Sequence, residues 1–225
     1  MDYKTLILGL SSVFVGWLLA QFTGILKDFY YTRKIKKCLL EELYELKSEL
    51  ERTQLIYTRQ LQIYALQGIE GGTPVPLSNH IFKNYYKDAV LGLNKQQRLS
   101  YQLIHTLVEN VNIGMIRHRE LTIKLLEKNI IKGSESITEK EGDSWGKNVI
   151  CEYQNVAAMI WHIKYHLNNH KYPELLPFSE EHKNYLQYLE NVDNEVSSII
   201  EKAKKLDKGK FQKIYNPDAF IEKIT

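Results

Sequence analysis

Cysteine is scarce in this sequence, and its scarcity excludes one class of protein. The 225 residues include two cysteines, Cys38 and Cys151, and no CxxC pair. A small secreted fold held together by disulfides has more cysteines at regular spacing. The sequence therefore predicts that the main domain lies in the cytoplasm.

Strong net charge is also lacking, which argues against a nucleic-acid partner. The formal net charge is +3, whereas nucleic-acid-binding domains carry a clustered basic face. The composition is 44% hydrophobic and 25% charged, which is typical of a folded chain and not of a disordered one. These values favour one ordinary domain with an additional segment.

Motifs for enzyme chemistry are weak or absent. The loop GIEGG at residues 68–72 lacks the Lys and Ser/Thr of a phosphate-binding loop. The GDSWG stretch, residues 142–146, matches a serine-hydrolase elbow, but no core strand precedes it, as that motif requires. We interpret it as part of a polar linker at about 132–146, with Asp143 or Ser144 capping the next helix. No cofactor and no small-molecule substrate are predicted.

The most informative stretch is an uncharged run from Thr5 to Leu26. As a helix these 22 residues would measure about 33 Å, enough to cross a hydrocarbon core of about 30 Å. A cleaved signal peptide has a shorter apolar run and a small-residue cleavage site, and Leu18 stands where that site needs a small residue. The sequence therefore predicts a single-pass anchor within residues 1–27.

The charges flanking this segment predict its orientation and its lipid contacts. Only Lys4, opposed by Asp2, precedes it, whereas a basic cluster follows. Basic flanks stay in the cytoplasm, so we expect the N-terminus outside and the C-terminal domain inside, at the cell (inner) membrane. The predicted contacts to anionic lipid head groups are Lys27, Arg33, Lys34, Lys36 and Lys37.

Small residues recur every four positions within the predicted span, at Ser12, Gly16, Ala20 and Gly24. On a helix they form one ridge, and such ridges let spanning helices approach each other closely. Gln21 beside the ridge could add an interhelical hydrogen bond. Self-association or partner association through this ridge is one hypothesis, and the ordinary abundance of small residues in spanning helices is the alternative.

The rest of the sequence predicts an all-α protein: an antiparallel bundle with long helices and no substantial sheet. No Gly or Pro occurs between Ile25 and Gln67, so the anchor is expected to continue into an amphipathic helix over 28–67. A cytoplasmic helical domain over 68–225 follows. Further helices are expected at about 77–93, 94–132, 147–169 and 179–206, and a short one at 217–224. A coiled coil is possible, but Thr53 and Gln60 weaken its register.

Three histidines, His162, His166 and His170, are spaced by four along one predicted helix. Two histidines at i and i+4 can hold zinc, but the glutamate of the protease motif is missing and a third ligand must come from elsewhere, such as His105 or Glu109. The alternative is that these side chains flank the core. They remain weak metal-site candidates.

Three functional hypotheses follow. The leading one is a membrane-tethered, non-enzymatic interaction or scaffold protein that binds a cytoplasmic protein partner and oligomerises through its anchor. The second is a membrane-acting effector, for example of bacterial phage defence, that perturbs the bilayer on activation. The third and weakest is a metal-binding helical-bundle enzyme that uses the histidine face.

Overall fold

The computed structural model describes residues 3–133, 136–173 and 175–207, without the side chains of residues 5, 6 and 8. Five α-helices form this part of the chain, and no strand occurs in it. The helices are α1 (Tyr3–Ala65), α2 (His80–Ala89), α3 (Lys95–Lys132), α4 (Glu139–Asn168) and α5 (Glu180–Ala203). The predicted all-α fold with one long apolar N-terminal helix is confirmed.

Helix α1 is 63 residues long and includes the whole described part of the apolar segment. Its length follows from the sequence, because no helix-breaking Gly or Pro interrupts residues 26–67. The helix ends where Gln67 adopts a left-handed φ of 57° and the Gly68 amide donates back to the Ile63 carbonyl at 2.9 Å. The expected continuity between the apolar segment and the following amphipathic helix is therefore present.

The chain divides into two compact units. The first contains the described residues of Met1–Glu42 together with His80–Asn94, so α2 packs within the same unit as the apolar part of α1. A 3₁₀ turn, Val90–Gly92, completes this unit after α2. The second unit contains Leu43–Asn79 and the described residues from Lys95 onward, and it holds most of the buried core.

The core of the second unit is built from the apolar stripes of α1, α3 and α4. On α1 and α4 the buried stripe is the one that the helical period predicts. Its fully buried members include Leu43, Leu46, Leu50, Tyr57 and Leu61 on α1, and Val149, Tyr153, Val156, Ile160 and Ile163 on α4.

Helix α3 buries only some of its regularly spaced apolar residues. Ile104, Val108, Val111 and Leu125 are buried, whereas Leu99, Leu103 and Ile116 are exposed. The buried face contains polar residues, among them His105, His118 and Thr122. Since α3 carries apolar residues on more than one face, packing against α4 selects the buried face and periodicity alone does not.

Helix α4 begins eight residues earlier than predicted, and the expected linker is correspondingly shorter. Thr138 is its N-cap, and its side chain accepts from the Glu141 amide while the Glu141 carboxylate accepts from the Thr138 amide. This capping box gives partners to amides that would otherwise lack them, so the helix begins at Glu139, directly after the cap. The GDSWG stretch thus lies on α4, and Ser144 sits on a helix surface and not at a strand–helix elbow.

The N-termini of α5 and α2 are capped in different ways. Ser179 before two glutamates predicts an N-cap for α5, and the Ser179 side chain accepts from the His182 amide at 3.1 Å, which confirms it. At α2 two amides of the first turn, those of Ile81 and Phe82, donate to the carboxylate of Glu42 on α1. The short helix predicted at 217–224 lies outside the described residues.

Candidate functional site

The apolar part of α1 is not covered by any described part of the chain. Every residue from Gly9 to Tyr30 is exposed, and this stretch contains large side chains such as Phe14, Trp17 and Phe22. Among the described helices, α1 is the one that is long and apolar enough to cross a membrane, by length and composition. This surface is the first candidate site.

The predicted small-residue ridge is open on this surface. Ser12, Gly16, Ala20 and Gly24 are all exposed, and a Cβ placed on Gly16 or Gly24 would meet no atom within 4 Å. The Ser12 hydroxyl is taken up locally, because it donates to the Gly9 carbonyl at 2.8 Å. Among the described residues, none blocks the approach of a second helix along this ridge.

The predicted head-group residues differ in how free their charges are. Lys27, Arg33 and Lys34 are exposed. Lys37 is exposed but lies 3.3 Å from Glu41 in an i,i+4 ion pair, which is weak at a surface. Lys36 is half-buried and donates to the Gly92 carbonyl, so its ammonium group helps to hold the 3₁₀ turn.

Helix α2 is held on α1 by a buried carboxylate that the sequence analysis missed. Glu42 is 4% exposed, and its two oxygens accept from the amides of Ile81 at 2.6 Å and Phe82 at 3.0 Å. These amides belong to the first turn of α2, where an anion is favoured by the unpaired donors and the helix dipole. The available signal was an acid placed within the apolar stripe, three residues after Leu39.

The three candidate metal ligands on α4 have separate surroundings. His166 is fully buried and its Nδ1 lies 2.8 Å from the Ser100 hydroxyl. The His162 ring packs on Tyr185 with 4.8 Å between centroids, and His170 is exposed. Burial lowers the pKa of both His162 and His166 to about 4. In the described part of the chain no three His, Cys, Asp or Glu side chains come together as a metal site.

A second buried histidine lies at the centre of a polar network between α1, α3 and α4. His118 Nε2 lies 2.9 Å from Gln60 Oε1, and its Nδ1 lies 2.9 Å from Asn148 Oδ1. The Trp145 ring lies 5.7 Å from the His118 ring, between centroids, and its indole N–H donates to the Thr122 hydroxyl at 2.9 Å. Burial lowers the pKa of His118. Because both ring nitrogens of His118 have partners, this network orders the core around that side chain.

One cleft in the second unit has a volume of about 830 Å³, which is in the range of small-molecule sites. Its polar wall contains the Arg59–Glu70 ion pair, with 2.9 Å between Nε and Oε2, and Tyr64, whose hydroxyl donates to Asp143 at 3.3 Å. The wall comes from the ends of α1 and α3, a loop and the start of α4. Segments so far apart in the sequence gave no motif by which to predict it.

No protein-family model, curated protein or solved structure matches this chain. The fold and the sites are therefore interpreted from the chain's own residues. Of these sites, the uncovered apolar surface of α1 extends continuously over residues 9–30.

Proposed function

We propose that this protein is a membrane-tethered, non-enzymatic interaction module, in which α1 crosses the cell membrane once and the helical domain binds a protein partner. The observation that carries this proposal is the complete exposure of residues 9–30. A helix that is apolar all round is stable where lipid surrounds it. Its backbone groups are paired within the helix, as a bilayer requires.

The orientation is proposed from charge. Exposed Lys27, Arg33 and Lys34 follow the apolar segment, whereas Lys4 is the one base before it. Basic residues are retained on the cytoplasmic side, which places the N-terminus outside and the domain in the cytoplasm. Free Cys38 and Cys151 are compatible with that reducing compartment.

Membrane fractionation tests this topology. The protein should resist alkaline carbonate extraction, and a C-terminal tag should be digested by protease in inside-out vesicles. A variant with Val13→Lys and Leu19→Lys should lose carbonate resistance, because each charge at the centre of a span costs about 3 kcal/mol. Wild-type protein in the soluble fraction would refute the anchor, and protection of the tag in inside-out vesicles would reverse the orientation.

Association through the small-residue ridge is part of the proposal. Gly16→Ile with Ala20→Ile would block close approach of a second helix, so the mass of the complex in mild detergent should fall. Phe14→Ile with Leu18→Ile alters the opposite face of the same helix and is the matched control. An unchanged mass in the first variant would remove the ridge as a contact.

The partner-binding proposal is supported by an uncovered apolar row on α3. Ile113, Ile116 and Ile123 are 47%, 48% and 44% exposed and recur at helical spacing. Ile116→Asp with Ile123→Asp should abolish a co-purifying protein, and Val75→Asp, at a position 80% exposed outside α3, should not. Loss of membrane potential on induced expression, with no co-purifying protein, would indicate a membrane-acting effector instead.

A further inference from the structure

The 3₁₀ turn after α2 exposes a large apolar side chain. Leu91 is 94% exposed, more than any other leucine in the described part of the chain. Single exposed leucines are common on protein surfaces, so exposure alone decides nothing. The position of this leucine relative to the apolar part of α1, within the same compact unit, is what distinguishes it.

Helix α2 runs antiparallel to α1 and brings this turn toward the apolar segment. The start of α2 is held at Glu42, whereas Gly92 lies beside Thr32 and Lys36. Asp88, near the end of α2, accepts from the Tyr31 hydroxyl at 3.3 Å. Leu91 is therefore carried at the level of residues 31–36 of α1.

That level corresponds to the surface of a bilayer. Thr32 follows Leu26, the last residue of the uncharged run, by six positions, which is about 9 Å along a helix. The head-group layer on each side of the hydrocarbon core is about 5–8 Å thick. The level of Thr32 is thus at the outer edge of this layer, and a side chain that projects from the turn toward the apolar segment reaches into the layer when α1 spans the membrane.

The charges and rings around the turn suit an anionic membrane surface. Arg33 and Lys34 on α1 and Lys87 on α2 are exposed. Tyr30 is 65% exposed and Tyr85 is 40% exposed, and tyrosine is favoured at membrane–water interfaces. Basic residues beside the end of a spanning segment attract acidic lipid, at about 1 kcal/mol per charge near the surface.

We propose that the 3₁₀ turn Val90–Gly92 is a second membrane contact, in which Leu91 inserts into the interfacial layer of an anionic bilayer next to the anchor. The inference rests on the proposed function, since it requires that α1 span the membrane. The proposed contact adds α2 and its turn to the lipid-binding surface. The first unit would then bind the membrane surface as well as span the bilayer.

Site-directed fluorescence on the full chain tests this contact. An environment-sensitive label is attached to Leu91→Cys after Cys38→Ser and Cys151→Ser, in vesicles of phosphatidylcholine and phosphatidylglycerol. The label should show a blue-shifted emission and should lose fluorescence when the lipids carry a spin label on the acyl chain. Leu19→Cys, within the span, is the positive control. His80→Cys, exposed at the other end of α2, should stay unquenched.

The outcomes separate the two proposals. Quenching at Leu19→Cys without quenching at Leu91→Cys overturns the second contact and leaves the anchor in place. No quenching at Leu19→Cys overturns both. A blue-shifted label at Leu91→Cys that lipid does not quench indicates a protein contact and also overturns the proposal. If the serine background does not fold, photo-crosslinking from a benzophenone amino acid at Leu91 to labelled phospholipid, with native cysteines, decides the same question.

Discussion

Removal of the Glu42 carboxylate should release helix α2 from α1 while the rest of the chain stays folded. The two oxygens of this 4% exposed side chain accept from the Ile81 and Phe82 amides at 2.6 and 3.0 Å. Those amides have no partners within their own helix, because they belong to its first turn. Glu42→Ala leaves both donors without this acceptor.

The expected cost follows from the two hydrogen bonds. Bonds to a charged acceptor contribute about 1.5–3 kcal/mol each, and loss of a helix cap usually costs about 1 kcal/mol. Because water can reach the released helix end, we expect about 2–4 kcal/mol for Glu42→Ala. Glu42→Gln keeps one acceptor and loses the charge, so about 1–2 kcal/mol is expected.

Hydrogen exchange measures this local effect. A loss of about 2–4 kcal/mol corresponds to exchange that is roughly 30- to 700-fold faster in peptides from His80–Gly92. Glu49→Ala, an exposed position on the same helix, is the matched control and should leave these peptides unchanged. Unchanged exchange in Glu42→Ala, with intact helix content, would refute the capping role and the antiparallel arrangement inferred from it.

Two further predictions concern α4. A Cβ at Gly146 would lie 2.1–2.4 Å from ring atoms of Tyr64, so Gly146→Ala should cost about 1–3 kcal/mol and lower Tm. Gly142→Ala meets no atom within 4 Å and should stabilise the helix by about 0.5–1 kcal/mol. Burial lowers the pKa of His162 and His166 to about 4, so both stay neutral in the folded protein. The unfolded chain binds protons below pH 6.5, and stability should therefore fall between pH 6.5 and 4, by up to about 3 kcal/mol per histidine.

Thermal unfolding in detergent, followed by circular dichroism, checks both α4 predictions. If Gly146→Ala were as stable as Gly142→Ala, the close packing of Tyr64 on α4 would be wrong. For the histidines, a variant with His162→Gln and His166→Gln should have a flatter dependence of Tm on pH. A wild-type Tm that does not change from pH 6.5 to 4 would contradict their burial in the neutral form.

Local chemistry explains which features of the fold were predictable. The continuation of α1 beyond the apolar segment follows from the absence of Gly and Pro from residues 26–67, and the cap of α5 follows from Ser179 before two glutamates. The buried stripes of α1 and α4 repeat at the helical period with polar residues between them. Each of these features depends on residues a few positions apart, which is the range that periodicity and capping rules cover.

Most of the errors involve residues that are distant in the sequence. The cap of α2 comes from Glu42, some forty residues earlier, and no local rule can find it. The early start of α4 was missed for a different reason. Thr138 and Glu141 form a capping box within four residues, but the polar composition around them favoured a linker.

By itself, the sequence determined that this protein is all-helical and that it contains, from Thr5 to Leu26, an uncharged segment long enough to span a membrane. It did so because helix propensity and hydrophobicity act locally along the chain. Only the tertiary structure decided which face of α3 is buried, that His166 and His118 lie in the core, and that α2 brings Leu91 beside the end of the apolar segment. These features depend on packing between distant segments, and the free energy of that packing is not encoded in any one of them.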